Sequence, residues 1–244
     1  MSLQATIDAS RSPAMPHPLV ASLRAELQDL VVQADAHLVF KALADGSATR
    51  DLYAAFLTET RHYIAETYPT LQAAGRRLQG LGRQETFVAV FAEKAAEEKG
   101  HDRLIDRDLE TLGIDVAAAL ATGPGRWVQA YKAWISATTA GKHPLAFLGT
   151  AYMLEGLGVQ RAGVVSRALK AAGRIEAITD ALTFLDVHAE ADIGHVEELE
   201  TTLASLDDGI DAGAITVTAG ATRVFYLGML DEIGDAVGLP SRLS

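Results

Sequence analysis

In the stretch Asp186-Val187-His188-Ala189-Glu190-Ala191-Asp192-Ile193-Gly194-His195, the residues His188, Asp192 and His195 recur at spacings of four and three. At about 100° per residue, that spacing puts all three on one helix face. Imidazole and carboxylate donors so arranged can hold one metal ion, or reach two adjacent ones, from a single rigid helix. The competing reading is a solvated charged face, because Glu190, Glu197, Glu198 and Glu200 lie close by. Both readings make the segment a helix.

The same periodicity spreads outward over the chain. Alanine and leucine are frequent, proline is scarce, and no alternating β-branched pattern occurs. Helical patterns run from about Pro18 to Leu43, Ala48 to Leu78, Gln84 to Leu112, Arg126 to Thr139, Pro144 to Ala172, Ile175 to Leu206 and Ala212 to Val237. Stops fall at Asp45-Gly46, Gly80 to Gly82, Gly113, Gly123-Pro124-Gly125, Gly141, Gly173 and Asp208-Gly209. Seven helices and no strand predict an all-α bundle. Residues 1–16 lack periodicity and read as a flexible N-terminal tail, leaving 17–244 as a single helical domain.

Composition removes several kinds of chemistry. The 244 residues carry 32 acidic against 21 basic side chains, a net charge of -11, so nucleic acid and anionic membrane would be repelled. With no cysteine there are no disulfides, thiolate metal sites or cysteine nucleophiles, and with no asparagine there is no glycosylation sequon. The first twenty residues lack a basic start followed by an apolar run, and Glu155 and Arg223 break the longest apolar stretches. A cytoplasmic globular protein is expected. No Gly-rich dinucleotide fingerprint, phosphate loop or Gly-x-Ser-x-Gly elbow is present. The glycines between Gly156 and Gly163 lie within a helical pattern and read as close-packing positions.

Two more segments carry candidate ligands. In Ala96-Glu97-Glu98-Lys99-Gly100-His101, Glu98 stands three before His101 and Glu97 four before it, so either carboxylate can share a helix face with the imidazole. Four-helix carboxylate di-iron sites present ligands in the same Glu-x-x-His form. A wet charge run is the alternative. Glu155 sits in Phe147-Leu-Gly-Thr-Ala-Tyr-Met-Leu-Glu155-Gly-Leu-Gly-Val159, where burying a bare carboxylate is costly unless it meets a metal or a cation such as Arg161. Together the three segments offer carboxylates and imidazoles suited to ferrous iron, with room for oxygen.

These residues resemble the haem-oxygenase-like di-iron oxidases and oxygenases, within the superfamily of TenA (thiaminase-II, TENA/THI-4), pyrroloquinoline-quinone synthase and haem oxygenase. The pattern is a Glu before a His, then a lone Glu, then His-x-x-x-Asp-x-x-His. Glu98 and His101, Glu155, and His188, Asp192 and His195 match it in order, over about residues 48–237. Glu97 competes with Glu98, and some members carry the first Glu seven before the His, where this chain has Lys94. The resemblance implies a seven-helix haem-oxygenase-like fold and two Fe(II) ions, with a mono-iron or manganese–iron centre as variants. It implies oxygen-dependent oxidation of a small organic substrate (an amino acid, a fatty acid or an amine), with an external electron donor and no haem or nucleotide. A homodimer is among the assemblies it allows.

Other members of the superfamily fit less well. Thiaminase-II needs the cysteine this chain lacks. A haem would use His62 or His37 and leave the matched ligands unexplained. Glu59, His62 and Glu66 share one long helix and read mainly as solvent-side, with Glu66 a further candidate carboxylate. Tyr63, Tyr131, Trp134, Tyr152 and Phe225 read as core, and Arg223 as a snorkelling side chain or a substrate-carboxylate anchor. The alternative function is a metal-free relative acting as a binding or interaction protein. A metal site requires Glu155 and His188 to face one interior cavity.

Overall fold

A computed structural model of the chain describes residues 17–82, 84–206 and 209–239, apart from the side chains of 190–193. The region expected to be an N-terminal tail, 1–16, lies outside the described residues. The helices are α1 (Pro18–Asp35), α2 (Leu38–Ala44), α3 (Arg50–Gly80), α4 (Glu85–Glu97), α5 (His101–Thr111), α6 (Val116–Ala121), α7 (Arg126–Ala140), α8 (Phe147–Ala172), α9 (Thr183–Leu203) and α10 (Gly209–Ala236). Single 3₁₀ turns occupy Pro144–Ala146 and Ile178–Asp180, and no strand occurs among the described residues.

The all-α class is as the sequence predicts, but among the described residues seven expected helices become ten. The pattern from Pro18 to Leu43 divides at His37, whose extended backbone leaves the helix while its Nδ1 accepts the Val39 N–H at 3.2 Å and starts α2. Likewise Asp115 accepts the Ala118 N–H at 3.0 Å and starts the unexpected α6. The pattern from Gln84 to Leu112 divides at Gly100, whose φ of 92° is open to glycine at little cost and ends α4. Thr49 opens α3 in the ordinary way, accepting from Leu52 N–H at 3.2 Å.

The helices share one buried apolar cluster, which includes Leu23, Leu30, Phe91, Ile105, Phe147 and Leu230. Within it α8 packs most extensively on α9, and α4 on α3. Gly156 of α8 acts as the sequence suggests: a Cβ there would collide with Leu27 of α1, so the bare backbone lets the two helices close up. No described helix is long and apolar enough to cross a membrane. The long helices leave a cavity between α3, α4, α8 and α9, and the candidate ligands lie at its wall.

Candidate metal centre

On α4 the inward positions are Phe87, Phe91, Lys94 and Ala95, and the same stripe continues one turn to Glu98. Glu98 caps α4, Gly100 turns the chain, and His101 opens α5. The sequence placed Glu98 and His101 on one continuous helix. They instead face each other across a helix break, with His101 Nδ1 3.1 Å from Glu98 Oε2. The third member arrives from α9, where the His188 ring meets the His101 ring edge-on with centroids 5.0 Å apart. One donor atom from each of Glu98, His101 and His188 lies within 4.8 Å of the other two. Donors about 2.1 Å from a shared ion stand up to about 4.2 Å apart, so a shift of some tenths of an ångström completes the site.

The protonation chemistry suits a ligand role. His188 Nδ1 lies 2.8 Å from the Phe184 carbonyl, which can only accept, so the proton sits on Nδ1 and Nε2 keeps its lone pair. Burial, helped by His101 and His195, pulls the His188 imidazole below its ordinary value against the opposing pull of that carbonyl and Glu98. Burial also raises Glu98, but His101, His188 and Lys94 together outweigh it and hold the carboxyl below its usual value. Neutral imidazole and ionised carboxylate are the forms a borderline divalent cation such as Fe(II) requires. The donors present fit that ion.

Glu155 has a partner the sequence reading did not name. Lys94 Nζ donates to Glu155 Oε1 at 3.1 Å and Oε2 at 3.4 Å, and the two side chains are only 9% and 11% exposed. Arg161, the expected cation, instead grips Asp35 with two bonds of 2.7 and 2.6 Å. Burial raises the Glu155 carboxyl, and Lys94 offsets only part of that rise. Glu97 points elsewhere: it is the more exposed of the adjacent pair, and its Oε2 lies 3.7 Å from His195 Nε2. Of the two competing carboxylates, Glu98 is the one beside His101 and His188. Asp192 is on α9 between the two histidines, but its side chain lies outside the described residues.

Glu155 and His188 line the same cavity, together with Lys94 and Glu98. Its other walls are largely apolar, among them Phe40, Phe56, Leu71 and Phe147. The space is about 100 Å³, several times what one water molecule needs. Tyr63 and Tyr131, expected as core, are both buried and cavity-lining. Burial pushes the Tyr63 hydroxyl up to about 12 and the Tyr131 hydroxyl higher still, so both stay protonated. Among the described residues the Tyr131 hydroxyl has no hydrogen-bond partner, and it is available as a donor.

Asp108 is the supporting residue that sequence reasoning missed. Fully buried on α5, it accepts from Thr183 N–H at 2.9 Å and Phe184 N–H at 2.8 Å. It caps α9, whose own flanking residue Leu182 supplies no side-chain cap. The helix bearing His101 thereby fixes the start of the helix bearing His188. Three of the second-rank candidates have structural partners: Glu59 accepts from the Gly125 N–H at the start of α7, Glu66 pairs with Lys132 at 2.8 Å, and Arg223 pairs with Glu26 at 3.0 Å. His37 bonds Asp231 through Nε2 at 3.0 Å.

Residues 54–229, more than half of the chain, match the sequence profile of a family described as iron-containing redox enzymes. No curated protein sequence matches the chain. Among solved structures, a Shewanella denitrificans domain of unknown function with a haem-oxygenase-like fold has a TM-score of 0.79 and 20% identity, over 92% of this chain and 98% of that one. A TenA homologue from Pseudomonas syringae follows with a TM-score of 0.75 and 12% identity, over 96% and 100%. A CADD-like protein of unknown function from Nostoc punctiforme gives 0.68 and 18%, over 89% and 97%. At such identities the likeness establishes the haem-oxygenase-like fold alone.

Proposed function

Because the chain belongs to the family of iron-containing redox enzymes, we propose that it is a non-haem iron oxidase or oxygenase. It uses dioxygen to oxidise a small, largely apolar organic substrate in the cytoplasm. The observation that carries this reading is the convergence of Glu98, His101 and His188, from the ends of three helices, on the wall of an apolar cavity. Glu98, His101 and His188 would hold the iron, with Asp192 and His195 as further ligands from α9. A two-iron centre would also draw on Glu155, which must then leave Lys94.

Ferrous iron held by Glu98, His101 and His188 would supply the electrons for reducing dioxygen. The chain's own residues supply the rest. The Phe184 carbonyl fixes the His188 tautomer and the aim of its Nε2. The apolar walls take in the substrate's hydrocarbon surface and keep bulk water out. The Tyr131 hydroxyl donates to an acceptor on the substrate and sets its orientation. Glu155 Oε1 and Lys94 Nζ form a buried pair able to hold or release the proton that oxygen reduction consumes. Reducing equivalents come from an external donor.

The metal-free interaction role draws its support from Ile210, Val217 and Val224, exposed at seven-residue intervals along α10. A stripe of this kind is compatible with the enzymatic reading, as the face of a homodimer.

Anaerobic loading with ferrous iron, metal analysis and mixing with oxygenated buffer test the proposal. The expected result is stoichiometric iron retention and oxygen consumption accelerated by a cavity-filling substrate. A protein that retains no iron and consumes no oxygen would leave the interaction role standing alone.

A further inference from the structure

The buried ammonium of Lys94 faces the same cavity as the donor cluster. It lies one turn before Glu98 on α4 and is 7% exposed. Its Nζ reaches both oxygens of Glu155, and among the described residues the cluster of mutually close donors comprises Glu98, His101 and His188 without Glu155. The carboxylate that could serve a second ion therefore already has a cation.

We infer that this centre binds one divalent ion tightly, on Glu98, His101 and His188, and that the Lys94 ammonium occupies the electrostatic place of a second ion beside Glu155. The inference rests on the reading of the cluster as an iron site and fixes its ion count.

A protonated lysine has three N–H donors and no lone pair, so it cannot ligate a metal. A second ion on Glu155 must take that carboxylate from Lys94. The ammonium would be left buried and unpaired, which is the costly way to break an internal ion pair. Two dications and the ammonium would also gather five positive charges (two from each ion, one from Lys94) beside one cavity. With a single ion on the cluster, Lys94 and Glu155 remain a neutral pair. The penalty predicts a second ion at least about 100-fold weaker than the first.

The test is an anaerobic titration of the full chain with Mn(II) as the probe, followed by calorimetry and electron paramagnetic resonance. The expected result is one tight equivalent and an isolated six-line manganese signal without exchange coupling. Lys94→Gln, which releases Glu155 without adding charge, should tighten a second equivalent by about tenfold or more and bring in an exchange-coupled signal. Lys94→Arg should keep the single equivalent. Two tight equivalents in the unmodified chain overturn the inference while leaving the iron-enzyme reading intact, and they do so even if Lys94→Gln fails to fold. A folded Lys94→Gln protein that still takes only one ion also overturns it. No tight equivalent in the unmodified chain overturns both.

Discussion

Histidine meets carboxylate in two kinds of place in this molecule. Along α10, His37 lies 3.0 Å from Asp231 and His143 lies 2.8 Å from Asp211, tying helix ends to one another. At the junction of α4, α5 and α9, two imidazoles and Glu98 converge beside a cavity. The residue types are the same. The junction differs in bringing two imidazoles and a carboxylate together at the wall of an open space. A histidine–carboxylate contact alone therefore says little about function, and its surroundings carry the information.

Breaking the junction should give the largest effect. His188→Ala should weaken binding of ferrous iron or Mn(II) more than about 100-fold, beyond the loss typical of an outer-shell change. His143→Ala, in the other kind of contact, should leave the affinity unchanged in the same calorimetric titration. Equal losses in both would erase the distinction.

The second effect is intermediate. Asp108→Ala strips the acceptor from two N–H groups at the start of α9, which should cost about 2 kcal/mol in urea unfolding. Because α9 carries His188, metal affinity should fall about tenfold as well. Asp231→Ala should cost about 1 kcal/mol with no change in metal affinity. The split between stability and affinity is the informative readout.

The smallest effect is the pH dependence of the metal-free protein. His188 titrates below its ordinary value of 6.5 in the folded state, so folding favours its neutral form. Its contribution is present above pH 6.5 and is lost as pH falls through the depressed folded value. Asp108 and Glu155 are raised, so their contributions have the opposite sign and fade as pH rises through their folded values. Comparing urea midpoints of wild type and His188→Gln from pH 7 downward isolates the histidine. The difference between the two curves should narrow as the solution is acidified, and parallel curves would contradict the depressed value.

Much of this arrangement is legible from the sequence. Periodicity locates α3, α7 and α10 to within a few residues, and it marks the segments that bear Glu98, Glu155 and His188. It misses the break at Gly100 because propensity across Ala95 to Leu104 favours continuing the helix, while one left-handed glycine ends it. It misses Lys94 as the partner of Glu155 because periodicity assigns a face and not the neighbour across it, here 61 residues away. A signal was present: Phe87, Phe91, Lys94, Ala95 and Glu98 form one inward stripe, where an ammonium needs a counter-charge. Asp108 was hidden in the charged run Asp106-Arg107-Asp108, where only contacts separate the buried carboxylate from exposed ones.

The borrowed cap of α9 has a consequence for motion. A helix whose first N–H groups are closed by a side chain of another helix cannot fray there until that contact opens. The first turn of α9 and the middle of α5 therefore form one cooperative opening unit. Their amide protons should exchange at a common rate, and that rate should slow once an ion joins His101 at the start of α5 to His188 in the second turn of α9.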